Sequence, residues 1–358
     1  MCLHQWFPIK TPSCSNWGST RVNFGTVILH FFTNELPEVV HHHDQLGVPD
    51  NWPPYSLDCK TCGNICCFAD DTTFSCSSKS PDSLSQDLSS KFLDISNFLV
   101  SNRLKLNEDK THLMVLTSSQ KRKARGRAGK DMEVSIVTPC ATISPSPTEK
   151  LLGGWIHQDL KWAEHILEGD QSLVKSLCTR LSALKLVGKV ADFRTRKMVA
   201  DGIFMSKLVY LISLWGGCEK YLLKSLQVIQ NKAARVVAKV DWNTPTQSLL
   251  SQCGWLSVHQ LAVHQTVVLV HKILKSGQPQ YLYNLFNLNY NVKTRLADQQ
   301  LLKPSQGEAP EHDLIAGSFR WRAIRHWNAL PLQIRKVTLT TKFKRESKLW
   351  IKQYIPLE

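Results

Sequence analysis

Residues 64–76 read NICCFADDTTFSC, and this stretch decides the fold that the sequence predicts for the first part of the chain. Two adjacent carboxylates, Asp70 and Asp71, lie between two apolar runs that favour strands. The pattern predicts a strand, a two-carboxylate turn and a second strand, with both acids at the solvent-facing tip of a hairpin. Such a tip could hold a divalent cation such as Mg²⁺, but paired aspartates also occur in turns simply because Asp tolerates turn geometry.

The segments after this hairpin follow in a definite order. Residues 81–104 predict a helix, because apolar side chains recur every three or four positions on one face. The members of that face are Leu84, Leu88, Phe92, Ile95 and Leu99. The polar turn LKLNEDKT at 104–111 then leads into a predicted strand at 112–116. Residues 150–162, KLLGGWIHQDLKW, predict a further strand and turn.

Taken in this order, the motifs resemble the C-terminal half of a reverse transcriptase palm. They are most similar to the enzymes of non-LTR (LINE-type) retrotransposons of animals, in which an aromatic-Ala-Asp-Asp turn is followed by the same helix, turn and strand. TNELPE at 33–38 also fits, and the resemblance covers about residues 34–285 and, weakly, the C-terminus. It implies an α+β fold: a partial palm with an antiparallel sheet and a helix, then an all-α thumb-like domain and a basic helical tail.

The resemblance also implies an activity and a site. The activity is RNA-directed DNA synthesis by two-metal nucleotidyl transfer, using Mg²⁺ and deoxynucleoside triphosphates. Its nucleic-acid partners would be an RNA template and a DNA primer, or an RNA–DNA duplex. Asp70 corresponds to the principal metal ligand and Asp71 to its supporting neighbour, while Phe68 would pack near the primer end. Lys110 corresponds to a lysine that can donate a proton to departing pyrophosphate, although spacing alone favours a solvated turn lysine there.

The upstream motifs depart from the family pattern. Where the family has Gln-Gly-Ser and Leu-Gly-Pro before TNELPE, residues 20–26 match only at Gly25, and residues 1–20 hold no acidic residue. The family's third catalytic Asp belongs to a strand further upstream. We therefore expect a truncated, degenerate relic without polymerase activity, because a two-metal site that lacks its shared ligand misplaces the primer hydroxyl.

Two other interpretations stay open. One is a non-catalytic nucleic-acid-binding protein that uses the thumb-like domain and the tail. The other is a chain without a stable folded product, because palm strands without neighbours expose their edges.

The sequence divides into five predicted segments. They are a degraded fingers and palm remnant (1–56), the C-terminal half of the palm (57–166), the helical thumb-like domain (167–276), a polar linker region (277–316) and a basic aromatic tail (317–358). In the third segment, an apolar stripe from Leu173 predicts a helix that begins at Asp170 and ends at Gly188. Further helices are predicted at 198–215, 222–236 and 256–273, with Gly216 and Gly217 as a break and 241–246 as a loop.

The composition favours polyanionic partners. The chain has 44 Lys and Arg against 29 Asp and Glu, a formal net charge of +15 and a pI of about 9.3. Residues 121–130 form a basic loop with Gly126 and Gly129, which indicates phosphate contact, nuclear localisation or a simple solvated loop. Its candidate phosphate contacts are Lys121, Arg122, Lys123, Arg125 and Arg127.

The thumb resemblance adds a second set of candidate phosphate contacts: Lys185, Lys189, Arg194, Arg196 and Lys197. A helical interaction domain unrelated to nucleic acid would show the same periodicity. In the tail, aromatic residues among the cations would either stack on bases or form a core face.

The eleven cysteines are irregularly spaced and no secretory leader is visible, which predicts reduced thiols in a nuclear or cytoplasmic protein that is not secreted. Cys59, Cys62, Cys66 and Cys67 raise the question of zinc. Cys66 and Cys67 would point to opposite faces of a strand, and this argues against a tetrahedral site. Histidines 259, 264 and 271 are predicted to be solvated or satisfied in the core rather than ligands. No apolar run reaches the length of about 18 residues typical of a membrane helix.

Overall fold

The computed structural model describes residues 2–6, 64–68, 71–78, 80–104, 107, 110–117, 122–123, 134–137, 142–288, 300–304 and 317–356. The chain folds as two compact units, Met1–Lys161 and Trp162–Glu358. In its described residues the first unit contains strands and one long helix, whereas the second consists mainly of helices. The predicted α+β class is confirmed at this level.

The main sheet of the first unit has four antiparallel strands. These are β1 (Cys2–Trp6), β2 (Asn64–Phe68), β3 (Asp71–Ser75) and β4 (Thr111–Met114), in the spatial order β2-β3-β1-β4. β2 and β3 pair from Phe68 opposite Asp71 to Asn64 opposite Ser75. The predicted hairpin is therefore confirmed, and β3 is an internal strand with neighbours on both sides.

Helix α1 (Pro81–Ser101) supplies the apolar face of this unit. Pro81 occupies the first helical position, where its fixed φ suits the helix and its missing N–H would have no intrahelical partner. Leu88, Phe92, Ile95 and Leu99 are buried, as the periodicity predicts, and they share a core with Phe74, Leu113 and Ile136.

Short antiparallel pairs complete the described part of the first unit. They are β5 (Ile136–Val137) with β6 (Thr142–Ile143), and β7 (Thr148–Leu151) with β8 (Gly154–His157). Between β7 and β8, Leu152 and Gly153 both have positive φ, +46° and +80°. A two-residue turn with both φ values positive matches the right-handed twist of a hairpin. The single strand predicted within residues 150–162 is therefore a hairpin of two strands, β7 and β8, in the structure.

The second unit is built from a series of helices. They are α2 (Leu173–Val190), α3 (Phe193–Val199), α4 (Ser206–Val209), α5 (Ile212–Trp215), α6 (Lys220–Ala238), α7 (Thr246–Cys253), α8 (Val258–Ser276), α9 (Gln280–Tyr283), α10 (Phe319–Ala329), α11 (Leu332–Arg335) and α12 (Thr340–Tyr354), with π-helical turns at Glu164–Glu168 and Ala200–Met205. Strands β9 (Phe286–Leu288) and β10 (Leu302–Pro304) pair antiparallel.

The ends of α2 differ from the prediction. The Ser172 side chain accepts a hydrogen bond from the Lys175 N–H at 3.4 Å and caps the helix, whereas Asp170 forms an exposed ion pair with Lys175. Gly188 does not end the helix. A Cβ there would lie 2.7 Å from Cγ1 of Val236, so the glycine lets α2 approach α6 closely.

The predicted helix at 198–215 is interrupted. The π-helical turn Ala200–Met205 widens it, and Leu211 adopts a left-handed conformation with φ +57° between α4 and α5. The predicted break at Gly216 and the loop at 241–246 are confirmed, except that the loop ends where α7 begins, at Thr246. Helix α7 lies in a range for which the sequence predicted no helix.

Helix α8 lies at the centre of the second unit. A reciprocal capping box between Ser257 and Gln260 begins it, and Gly277, with φ +68°, follows its last residue. It is buried on most sides and packs against α5, α6, α10 and α12. The C-terminal helices therefore belong to the same core as the helices that precede them.

Aromatic side chains join the tail to this core. Trp327 and Phe343 are buried and stack on each other at 5.8 Å between ring centroids, while Phe343 also stacks on His271 at 4.1 Å. Of the two interpretations of the tail aromatics, the core face is confirmed for this pair. Within the range predicted as a linker, Phe286 and Leu302 are buried in the same core, because β9 and β10 bring them to it.

Candidate nucleic-acid interface

The acidic hairpin does not present Asp71 to solvent. Asp71 is 6% exposed, whereas Phe68, its partner across the hairpin, is 61% exposed. The prediction of a solvent-facing acid is wrong for Asp71, because this residue begins an internal strand with β2 on one side and β1 on the other. Asp70 lies outside the described residues.

The neighbouring strand supplies no carboxylate beside Asp71. Trp6 of β1 pairs with Asp71, and Cys2–Trp6 contains neither Asp nor Glu. Within the described residues, no group of three or more His, Cys, Asp or Glu side chains could hold a metal ion. A two-metal site needs ligands that bridge both cations. The described residues do not fit such a Mg²⁺ site, and no catalytic step is derived through it.

The other predicted residues of the first unit lie at its surface. Lys110 is exposed directly before β4, and its N–H donates to the carbonyl of Asn107 at 3.2 Å. In the basic loop, Arg122 forms an ion pair and hydrogen bond with Asp159, so its charge is already matched, whereas Lys123 is exposed. Lys121, Arg125 and Arg127 lie outside the described residues, as do Cys59 and Cys62.

The turn between α2 and α3 gathers exposed cations and exposed apolar side chains. Lys185 and Lys189 lie one turn apart on α2, and Arg194 lies in the first turn of α3. The apolar members, all exposed, are Leu186, Val190 (90%), Phe193 and Met198. We name these seven residues the α2–α3 surface. Such a mixture of cations and apolar side chains suits phosphates together with sugars and bases.

One acid adjoins the α2–α3 surface. Asp192 caps α3 by accepting a hydrogen bond from the Thr195 N–H at 3.0 Å. Hydrogen bonds from Thr195 hold the pKa of the Asp192 carboxyl below its ordinary value. Asp192 is therefore ionised at neutral pH and offsets one of the three positive charges.

Arg196 belongs to the core rather than to this surface. It is buried, its Nε donates to the carbonyl of Val237 at 2.8 Å, and its Nη1 donates to the carbonyl of Ala191 at 2.7 Å. The guanidinium joins the start of α3 to the end of α6. Arg196 is therefore not available to contact phosphates, and its prediction as a phosphate contact is wrong.

Lys197 lies in a different cluster, which the sequence did not reveal. Its ammonium group pairs with Asp201 and lies 5.5 Å from the ring centroid of Trp255. Two lysines of α12 lie close by: the Lys348 ammonium donates to the Gly254 carbonyl at 3.0 Å and the Lys352 ammonium to Ser251 Oγ at 3.1 Å. Burial lowers the pKa of Lys348, and the charges of Lys197 and Lys352 lower it further.

The excess charge of the chain lies in one unit. Met1–Lys161 contains 16 Lys and Arg and 16 Asp and Glu, so its formal net charge is zero. Trp162–Glu358 contains 28 Lys and Arg and 13 Asp and Glu, so it carries the whole net charge of +15. The composition of the full chain hides this asymmetry, which becomes visible once the boundary between the units is known.

The histidines of α8 are explained by the core. The Nε2 atom of His264 is hydrogen-bonded to the Lys344 carbonyl at 3.1 Å, and that of His271 to the Val337 carbonyl at 2.8 Å. Both side chains are buried, and burial lowers their pKa values. Of the two predicted environments, the core is confirmed for His264 and His271, although Nδ1 of His271 has no hydrogen-bond partner among the described residues, and His259 is half-buried.

Comparisons of this chain with protein-family models, with curated proteins and with solved structures give no match. Among the helices that the structure describes, none combines the length and the apolar character needed to cross a lipid bilayer.

Proposed function

We propose that this protein binds nucleic acid through its helical unit without polymerising it, and that it derives from the reverse transcriptase of a non-LTR retrotransposon. The observation that carries the proposal is the charge distribution: the whole net charge of +15 lies in Trp162–Glu358. RNA and DNA are polyanions, and neutralising their phosphates releases condensed counterions. A unit with this charge is favoured to bind them at moderate salt.

The α2–α3 surface is the proposed contact region. Lys185, Lys189 and Arg194 are exposed and belong to consecutive helix ends that two residues connect. Their flexible, cationic side chains can each approach a different phosphate. Exposed Phe193 and Val190 between them can contact sugars and bases. A helical domain that binds proteins remains the competing interpretation, and the experiment below separates the two.

The proposed ancestry rests on the order of the motifs, and the proposed loss of polymerase activity rests on β1. The hairpin of β2 and β3, helix α1, strand β4 and the helical unit follow one another as the palm and thumb resemblance requires. Strand β1, which pairs with the strand of Asp71, brings no carboxylate to it. Mg²⁺ and deoxynucleoside triphosphates thus belong to the ancestral activity, and RNA, DNA and RNA–DNA duplexes are the proposed partners.

The salt dependence of binding tests the proposal. The full chain is titrated against single-stranded RNA and an RNA–DNA duplex at several salt concentrations. Log affinity should fall linearly with log salt, with a slope of roughly −0.7 to −0.9 for each phosphate contact. The absence of binding to both probes at low salt would overturn the proposal.

Two triple variants locate the contacts. Replacing Lys185, Lys189 and Arg194 by Ala should reduce the magnitude of the slope by about two to three, since three contacts are lost. The control replaces exposed Lys224, Lys272 and Lys275 by Ala and changes the net charge equally. If both variants lose the same affinity, the protein binds through bulk charge and the α2–α3 surface has no special role.

Deletion of the tail is not a usable test. Residues 317–358 contain ten Lys and Arg, so their removal would reduce the positive charge. They also supply Trp327 and Phe343 to the core of the unit. A loss of affinity after the deletion could therefore come from lost phosphate contacts or from unfolding of the unit. Point substitutions at the surface avoid this ambiguity.

A further inference from the structure

The outer face of helix α7 carries polar side chains without charge. Gln247, Ser248, Ser251 and Gln252 are exposed, partly or fully, along its length. Two shallow depressions border this face, and Gln247 and Ser251 line both of them. Pro245 lines the first depression, and Trp255 and Lys352 line the second. The two depressions therefore adjoin along Gln247 and Ser251, and we call this face the α7 track.

An exposed tryptophan lies at one end of this track. Trp242 precedes Pro245 by three residues in the loop between α6 and α7, and it is 85% exposed. Isolated exposed apolar residues are common on proteins, so exposure alone assigns no role. Trp242 is distinguished by its place in the chain, because it lies in the loop that leads directly into α7.

Three cations lie at the other end. Lys348 and Lys352 reach the end of α7 from α12, through the hydrogen bonds to the Gly254 carbonyl and to Ser251 Oγ. Lys197 is near enough to Lys348 to lower its pKa. Asp201 is the carboxylate that balances them in part, and it already pairs with Lys197 and accepts a hydrogen bond from the Trp255 indole N–H at 2.8 Å.

This arrangement leaves an excess of positive charge that a bound anion would relieve. The ammonium groups of Lys197, Lys348 and Lys352 carry three positive charges beside the carboxylate of Asp201, and burial and the two neighbouring lysines lower the pKa of Lys348. From Pro245 to Ser251 the helix rises about 9 Å.

We propose that this α7 track, defined by Trp242, Gln247, Ser251, Lys348 and Lys352, binds single-stranded nucleic acid, with an unpaired base on the Trp242 indole and backbone phosphates at the two lysines. The inference rests on the proposed function and names the form of nucleic acid that this face takes. Stacking on an aromatic side chain requires a base with a free π-face, which a continuous duplex does not offer. Gln247 and Ser251 can donate to or accept from any base edge, so the track tolerates all sequences.

The experiment compares single strands with a duplex. The full chain and its variants are titrated with short oligouridine, with oligodeoxythymidine of the same length and with a blunt RNA–DNA duplex. Trp242→Ala should lower affinity for both single strands about tenfold and leave duplex affinity within about twofold, as expected for the loss of one stacked base. Trp242→Phe should keep most of the affinity, because a phenyl ring still stacks.

A matched aromatic control separates stacking from general surface effects. Tyr221→Ala removes an exposed aromatic ring at the start of α6. It lies about 15 Å along that helix from Asn231, whose side chain contacts Thr246 of α7 at 3.0 Å. Tyr221→Ala should leave all three affinities unchanged.

The lysines are tested in the same way. Lys352→Ala should weaken single-strand binding and reduce the magnitude of the salt slope by about one, whereas Lys275→Ala, an exposed lysine on α8, should change single-strand binding less. Unfolding midpoints of all variants show whether each remains folded.

The outcomes also distinguish this inference from the proposed function. If the full chain binds none of the probes, the proposed function fails and the track fails with it. If the full chain binds but Trp242→Ala and Tyr221→Ala are alike, or if Trp242→Ala weakens duplex and single-strand binding equally, the α7 track is wrong while nucleic-acid binding stands. A loss confined to oligouridine or to oligodeoxythymidine would restrict the track to RNA or to DNA.

Discussion

The two units of this protein differ in what their charged residues do. In Met1–Lys161 positive and negative charges balance, and Asp71, one of the two acids that the sequence singled out, is buried in a sheet. In Trp162–Glu358 the cations outnumber the acids by 15, and several of them lie exposed beside apolar or aromatic side chains. The candidate catalytic residues therefore lie in the unit whose charges balance, whereas the excess of cations lies in the other unit. Substitutions in one unit should leave the properties of the other intact, and three predictions test that separation.

The largest expected effect tests whether the C-terminal helices belong to the helical unit. Phe343 is fully buried and stacks on both Trp327 and His271. Phe343→Ala should destabilise the second unit by about 3–5 kcal/mol, because it removes buried apolar surface and leaves a cavity. Denaturant unfolding followed by circular dichroism measures this change.

The control for Phe343→Ala lies on the same helix. Leu349 of α12 is exposed, and Leu349→Ala should change the unfolding free energy by no more than about 0.5 kcal/mol. Equal and small effects of the two substitutions would mean that the tail is a separate appendage, and the division into two units would have to be redrawn.

The prediction of intermediate size concerns acid sensitivity. We expect the helical unit to lose stability at acidic pH because of the buried histidine His165. His165 is buried near Trp162 and Trp215, and burial lowers its pKa from about 6.5 to about 4. Between pH 6.5 and about pH 4, His165 is therefore protonated in the unfolded chain but neutral in the folded chain. The stability contributed by neutral His165 is fully present above pH 6.5 and is lost as the pH falls towards 4, by about 2 kcal/mol between pH 7 and pH 5.

The measurement is the unfolding free energy of the full chain at a series of pH values. His165→Gln cannot titrate, so its stability should fall less steeply between pH 7 and pH 5 than that of the unchanged protein. Burial lowers the pKa values of His264 and His271 as well, so a residual slope in the same direction is expected. Parallel curves for the two proteins would show that His165 is not a source of the acid sensitivity.

The smallest expected effect concerns Asp71. If catalysis and binding are separate, Asp71→Asn should leave nucleic-acid affinity within about twofold, because the residue is buried in the other unit. The unchanged protein should also give no Mg²⁺-dependent primer extension on an RNA template. If the unchanged protein extends the primer above background and Asp71→Asn abolishes this activity, the prediction is wrong. The first unit would then retain a catalytic site.

Elements that depend on local spacing could be predicted from the sequence. The apolar faces of α1, α2 and α6 follow from residues three and four positions apart, and the hairpin of β2 and β3 follows from two strand-forming runs around a short turn. These patterns concern near neighbours in the chain, so no knowledge of distant contacts is needed. The chemistry of the hairpin, in contrast, was predicted by resemblance and stays a prediction.

The tertiary structure alone decided which charged residues are available. Arg194 and Arg196 are two positions apart in one basic stretch, yet Arg194 is exposed while Arg196 is buried against the carbonyl of Val237. Likewise, Ser251 meets Lys352 only because α7 and α12 lie side by side. Whether a charged side chain is buried, and which groups lie near it, depends on segments forty to a hundred residues away in the chain. The periodicity of the sequence shows which face of a helix is apolar, but it does not show which segment covers that face.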